Sequence, residues 1–214
     1  MKNEDITISL DEIQLKGCLT VPEKAKGLVL FAHGSGSGRL SPRNQYVARV
    51  LSNGGLATCL MDLLTQEEEV LDQMTHHLRF NIELLASRLV AVTDWVTKDT
   101  RTKGLPVGYF GASTGAAAAL IAAAQRENIV RAVVSRGGRP DLAPNVLPIV
   151  KAPTLLIVGG NDDIVIGLNE AAYAQLIAPK KLEIVPNATH LFEEPGCLEK
   201  VASLAMDWFT QAFV

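Results

Sequence analysis

Six apolar runs alternate along the chain with stretches of helical spacing: 28–33 (LVLFAH), 56–61 (LATCLM), 106–111 (PVGYFG), 131–135 (RAVVS), 154–160 (TLLIVGG) and 181–186 (KLEIVP). The central runs are apolar at successive positions, so both faces of those strands must be covered. Strands covered on both sides and separated by helices predict a mostly parallel sheet in a three-layer α/β domain. Ahead of them, ITISL and IQLKGCLTV flank a turn at Asp11-Glu12 and end at Pro22. That pattern predicts an N-terminal antiparallel hairpin and a sheet of about eight strands.

Helical spacing covers 43–53, closed by Gly54-Gly55, and a longer region of about 67–97. Thr65-Gln66-Glu67-Glu68 reads as a capping box at the start of that region, so glutamates 67–69 are expected at a helix N-terminus rather than on a metal. A small-residue helix (AAAALIAAAQ) comes after Gly115, and a last one spans 198–213. The chain shows no repeat and no Pro/Gly/Ser-rich linker, so residues 1–214 are expected to form one domain.

With 20 Lys plus Arg against 23 Asp plus Glu, the net charge of −3 offers no general attraction to nucleic acid or anionic lipid. No apolar stretch reaches bilayer-spanning length, and the N-terminus carries acids where a secretory signal needs an apolar core. A cytoplasmic protein is expected, a monomer or small homo-oligomer with neither a membrane nor a nucleic-acid partner. Cys18, Cys59 and Cys197 are scattered and form no C-x-x-C pair, and His33, His76, His77 and His190 have no metal-binding spacing. Reduced thiols, no metal and no cofactor are the expectation.

The strand PVGYF runs straight into Gly111-Ala112-Ser113-Thr114-Gly115 and then into the small-residue helix. This is G-x-S-x-G with a strand before and a helix after, the setting in which a sharp turn lifts a serine hydroxyl above the sheet. The backbone N–H of Thr114 then sits at a helix N-terminus, free to meet a developing oxyanion. A plain Gly/Ser turn capping an alanine-rich helix would read the same way on its own. Two residues further along the chain decide between these readings. Asp162 comes just past the strand TLLIVGG and His190 just past KLEIVP, giving the order Ser, Asp, His. A serine needs a base, and the base needs a group to orient it. The carboxyl ends of parallel strands share one edge, so the three can converge there. Asp163 and Asp141 are the rival acids.

Ala32-His33-Gly34-Ser35-Gly36-Ser37-Gly38 follows another strand. Its glycines let backbone N–H groups face a substrate oxygen, with Ser35 as the second oxyanion donor beside Thr114. A dinucleotide fingerprint, with Asp62 on a ribose, lacks its third glycine because Arg39 stands in that region. His33 is expected to fix the loop rather than act as a second base. Arg136 and Arg139 follow one strand and Arg39 and Arg43 another, so Arg136, Arg139 and Arg43 are candidates to grip a substrate carboxylate. Pairing with Asp141, Glu193 or Glu194 is the competing expectation.

The H-G-S-G-S-G loop, the G-A-S-T-G turn, the G-G-N-D-D-I-V segment and the A-T-H-L-F run together resemble the α/β-hydrolase superfamily, closest to its small dienelactone-hydrolase-like branch. The resemblance extends over essentially the whole chain. It implies the three-layer hydrolase fold, Ser113 as nucleophile, His190 as base and backbone donors at Ser35 and Thr114. The family pattern G-x-x-D-x-x-V matches Gly159, Asp162 and Val165 and favours Asp162 as the acid. Dienelactone hydrolase itself carries a cysteine nucleophile where this chain has Ser113, which points to ester or lactone hydrolysis more than to dienelactone itself. Arg136 to Pro153 is too short for a cap domain, so an open site for a small substrate is expected. The same array would serve an acyltransferase, an amidase or a small peptidase, and a hydrolase fold used only for binding is the non-enzymatic rival.

Overall fold

A computed structural model describes residues 3–214. The hairpin strands are β1 (Glu4–Leu10) and β2 (Ile13–Thr20), followed by β3 (Leu28–Ala32), helix α1 (Pro42–Asn53) and β4 (Ala57–Met61). Next come α2 (Gln66–Thr75), a 3₁₀ turn (Leu78–Phe80), α3 (Ile82–Val96), β5 (Val107–Ala112), α4 (Thr114–Gln125) and β6 (Val130–Arg136). The chain continues through a second 3₁₀ turn (Pro140–Leu142), β7 (Thr154–Gly159), α5 (Asp163–Gln175) and β8 (Lys180–Val185) to α6 (Cys197–Ala212).

The eight strands form one sheet in the order β1-β2-β4-β3-β5-β6-β7-β8. β1 and β2 pair antiparallel, β2 meets β4 antiparallel, and every other neighbouring pair is parallel. Residues alternate between two cores. Leu28, Leu30 and Ala32 of β3 face a core with α3 and α4, whereas Val29 and Phe31 face one with α1 and α6. Two dry faces explain the continuous apolar runs, each fully buried Leu, Val or Phe contributing about 1.5–3 kcal/mol over exposure. From Arg136 to Pro153 there is only a three-residue 3₁₀ turn and loop, with no cap domain.

One expectation is corrected. The helical region of about 67–97 is broken: α2 ends at His76 in the left-handed conformation, φ 58°, and α3 restarts after Asn81, whose side chain accepts from Leu84 N–H. Asp72 accounts for the break, because its carboxylate takes the N–H groups of Leu78 and Arg79, which a continuous helix would commit to its own carbonyls. The expected capping box is present, Thr65 and Glu68 each accepting from the other's backbone N–H. A helix not assigned from the sequence, α5, turns inward only Val165, Asn169 and Ala172, an apolar signal weakened by the asparagine.

The topology places the chemistry. After β3 the chain moves to β4 on one side, and after β4 it returns to β5 on the other side of β3. Connections leaving adjacent strands in opposite directions open a crevice at their carboxyl ends. The loop after β3 carries Ser35, and the turn after β5 carries Ser113.

Candidate active site

Ser113 occupies the turn between β5 and α4 with φ 50° and ψ −122°, a backbone conformation that an L-residue adopts only when its surroundings impose it. The surroundings here are tight. A Cβ on Gly115 would stand 2.2 Å from the Ala32 carbonyl oxygen, and one on Gly111 would stand 2.5 Å from Ala116 Cα. The flanking glycines therefore let α4 press against β3 and hold the turn sharp. Ser113 N–H donates to the Arg136 carbonyl at 3.2 Å, and Arg139 N–H donates to the Ser113 carbonyl at 3.1 Å, which ties the turn to the end of β6.

His190, in the loop between β8 and α6, meets both partners. Its Nδ1 lies 2.7 Å from Asp162 Oδ2 and its Nε2 lies 3.3 Å from Ser113 Oγ. A carboxylate only accepts, so Nδ1 carries the proton and Nε2 presents its lone pair to the serine hydroxyl. Asp162 stands at the N-cap of α5, yet its side chain makes no capping bond and turns to the imidazole. Asp163 is instead the first residue of α5, and Asp141 is held by Arg139 through two bonds of 2.8 Å. Of the three candidate acids, the structure brings Asp162 to the histidine. Hydroxyl, imidazole and carboxylate in this order can move a proton off the serine and hold the resulting imidazolium.

The loop after β3 is anchored from below by His33. Its Nδ1–H donates to the Gly34 carbonyl at 3.0 Å, and its Nε2 accepts from Leu63 N–H at 3.1 Å. The ring is buried and makes the structural contact expected of it. Burial holds its pKa below the ordinary 6.5 despite the Gly34 hydrogen bond. Unfolded, the ring titrates near that value and takes a proton the folded ring refuses, so stability falls as the pH drops below about 6.5. One such group contributes a slope of at most about 1.4 kcal/mol per pH unit. Unfolding midpoints measured from pH 7.5 to 5.5 should decline, and His33→Gln should flatten that decline.

Ser35 departs from expectation. Its backbone N–H, expected to face a substrate oxygen, donates to Thr114 Oγ1 at 3.0 Å. Thr114 N–H lies in the first turn of α4, where no intrahelical acceptor exists. A cavity of about 1000 Å³ flanks this loop, lined among others by Ser35, Leu40, Arg43 and Leu64.

The arginines divide. Arg43 pairs with Glu193 and Arg139 with Asp141, so the competing expectation describes both, and their charges are neutralised by acids. Asp62, the acid of the nucleotide alternative, is likewise taken by the backbone and guanidinium of Arg39. Arg136 differs. It is 7% exposed, and among the described residues no carboxylate lies within ion-pair distance. Its guanidinium lies over the Phe192 ring, 5.8 Å from the centroid, and reaches Asn44 Oδ1 at 3.5 Å. Burial, with the like charge of Arg43 nearby, pulls its pKa down to about 10, so it stays charged at neutral pH. Among the pairings not read from the sequence is Asp72 with Arg79, whose contact depends on where α2 ends.

Among the described residues no cluster of three His, Cys, Asp or Glu could hold a metal ion, the three cysteines are free and buried, and no helix is long and apolar enough to cross a membrane.

Residues 16–212 match the model of the family described as "Dienelactone hydrolase family". A solved dienelactone hydrolase from Anabaena variabilis is 62% identical, with a TM-score of 0.97 over 99% of this chain and 98% of that one. Est1E from Butyrivibrio proteoclasticus shares the fold at 17% identity, with a TM-score of 0.82 over 97% of this chain and 98% of its own. A curated relative from Mycobacterium tuberculosis (strain H37Rv), named "Putative phosphoribosyl transferase", is 57% identical over 98% of this chain. The chain spans about half the length of that relative, 46%.

Proposed function

The chain belongs to the dienelactone hydrolase family, and on that premise we propose that it hydrolyses a small carboxylic ester or lactone with Ser113 as nucleophile. The observation that carries this reading is His190, hydrogen-bonded to Ser113 on one side and Asp162 on the other. His190 takes the Ser113 proton as Oγ adds to the substrate carbonyl. The oxyanion is held by the N–H groups of Thr114 and Ser35, and the leaving oxygen departs with the proton from His190. Water, deprotonated by the same imidazole, then attacks the acyl-serine and releases the acid. The absence of a cap over the edge of the sheet favours small substrates over long acyl chains. A panel of short-chain esters, lactones and thioesters tests the reading, with turnover expected in wild type and lost in Ser113→Ala. No turnover of any member by a folded wild-type protein would count against it.

The transferase name of the mycobacterial relative describes a protein of which this chain spans 46%. The name stays with that longer protein, and the proposed hydrolysis rests on Ser113, His190 and Asp162 of this chain.

Arg136 gives the substrate a further feature. A buried guanidinium without a carboxylate, at the end of the strand whose last carbonyl holds Ser113 N–H, suits an ester bearing an anionic group. An ester with a free distal carboxylate should react faster than its neutral amide analogue by the worth of a charge-assisted hydrogen bond, roughly 1.5 to 3 kcal/mol. Arg136→Ala should erase the preference and spare the neutral compound. Equal rates for the two esters in wild type would remove Arg136 from substrate binding.

A further inference from the structure

The loop that carries Ser35 contains Gly34, Gly36 and Gly38 within five residues and has no helix or strand of its own. Such a segment is free to move, whereas an oxyanion donor must be placed to within about half an ångström. His33 fixes the entrance of the loop. What fixes Ser35 is a chain of hydroxyl groups that the proposed mechanism does not use.

Ser35 Oγ donates to the Arg79 carbonyl at 3.2 Å. Having spent its proton there, it accepts from Thr114 Oγ1, 2.8 Å away, and Thr114 Oγ1 in turn accepts from Ser35 N–H at 3.0 Å. Thr114 and Ser35 are thus joined twice, and the pair is bonded onward to the turn between α2 and α3. Asp72 braces that turn. Its side chain is 1% exposed, and its two oxygens accept from Leu78 N–H, Arg79 N–H and Arg79 Nε. Burial alone would raise its pKa, but the Arg79 guanidinium and these amides hold it below the usual carboxylate range.

We propose that the Thr114 hydroxyl is a positioning residue of the oxyanion hole: with Ser35 Oγ, the Arg79 carbonyl and Asp72 behind it, it sets the gap between the Ser35 and Thr114 amides. The inference rests on the hydrolase reading above. The double connection explains how the Ser35 amide serves a substrate while bonded in the resting site. When a carbonyl oxygen enters, Ser35 N–H passes from Thr114 Oγ1 to that oxygen. The bonds from Thr114 Oγ1 to Ser35 Oγ and from Ser35 Oγ to Arg79 remain, so one hydrogen bond is exchanged while the loop stays tethered. The Thr114 amide and the Thr114 hydroxyl then do different work: the amide touches the oxyanion, and the hydroxyl holds its partner in place.

Thr114→Val keeps the side-chain shape and removes both bonds; Thr114→Ser keeps the hydroxyl. With a small activated ester such as p-nitrophenyl acetate, Thr114→Val should lose about tenfold in kcat with little change in KM. A trifluoromethyl ketone, whose adduct carries the oxyanion, should bind more weakly in the same proportion. Thr114→Ser should recover most of both. Ser35→Ala breaks the same tether, so combining it with Thr114→Val should cost little more than either alone. Independently of turnover, amide hydrogen exchange in the peptide covering 34–38 should quicken in Thr114→Val. An unchanged kcat, a loss confined to KM, failure of serine to rescue, or unaltered exchange in 34–38 each overturns the tether. A wild type that neither turns over esters nor reacts with a phosphonate overturns the hydrolase reading instead, and the exchange measurement still decides the tether.

Discussion

Ser113→Ala should reduce ester turnover by about 10³-fold or more without unfolding the protein. The hydroxyl is the atom to which the site converges. It sits on a turn kept sharp by the close approach that Gly111 and Gly115 allow, and it faces the imidazole at 3.3 Å. Alanine removes no other side-chain hydrogen bond, so the unfolding midpoint should stay close to wild type. The loss should not add to others. His190→Ala alone should cost about as much, and the double variant little more than either single, because a base without its nucleophile and a nucleophile without its base are equally idle. Additive losses on the free-energy scale would mean that the two residues do not act as one unit.

Asp162→Asn is the second large effect, a loss of about 10³-fold or more, and its control is the residue beside it. An amide presents a donor to Nδ1 and favours the tautomer whose Nε2 carries the proton, which cannot accept from the serine. Asp163→Asn should leave the rate nearly unchanged, since Asp163 opens α5 while the 2.7 Å contact to His190 belongs to Asp162. Asp141→Asn should likewise act only through Arg139, its partner at 2.8 Å. Steady-state kinetics on the three variants side by side would decide the acid, and a damaging Asp163→Asn beside a harmless Asp162→Asn would reverse the assignment.

The sheet was legible because burial on both faces leaves an unbroken apolar run that a half-exposed strand does not have. The serine, histidine and aspartate were legible for a related reason. In a parallel sheet, residues just beyond the carboxyl ends of strands share one edge, so Ser113, His190 and an aspartate could be placed together from strand positions, and the preference for Asp162 over Asp163 and Asp141 came from the family resemblance. What remained hidden depends on single side-chain contacts. The helical spacing of 67–97 gives no sign that Asp72 captures the amides of Leu78 and Arg79 and ends α2 early. The fates of Arg43, Arg136 and Arg139 turn on which acid lies within a few ångströms, a matter of loop path rather than of pattern. The Ser35 amide is the sharpest case. G-S-G predicts a backbone free to meet a substrate, and the hydroxyl that occupies it comes from Thr114, the residue next to Ser113.

The proposed mechanism requires that His190 and Asp162 activate Ser113. A fluorophosphonate probe tests it most directly, because only an activated serine displaces the fluoride. Intact-mass and peptide mapping of the native protein should show one adduct per chain, on Ser113, absent in Ser113→Ala and formed far more slowly in His190→Ala. A correctly folded wild-type protein that stays unlabelled, or that carries its adduct on another residue, would rule out activation of Ser113.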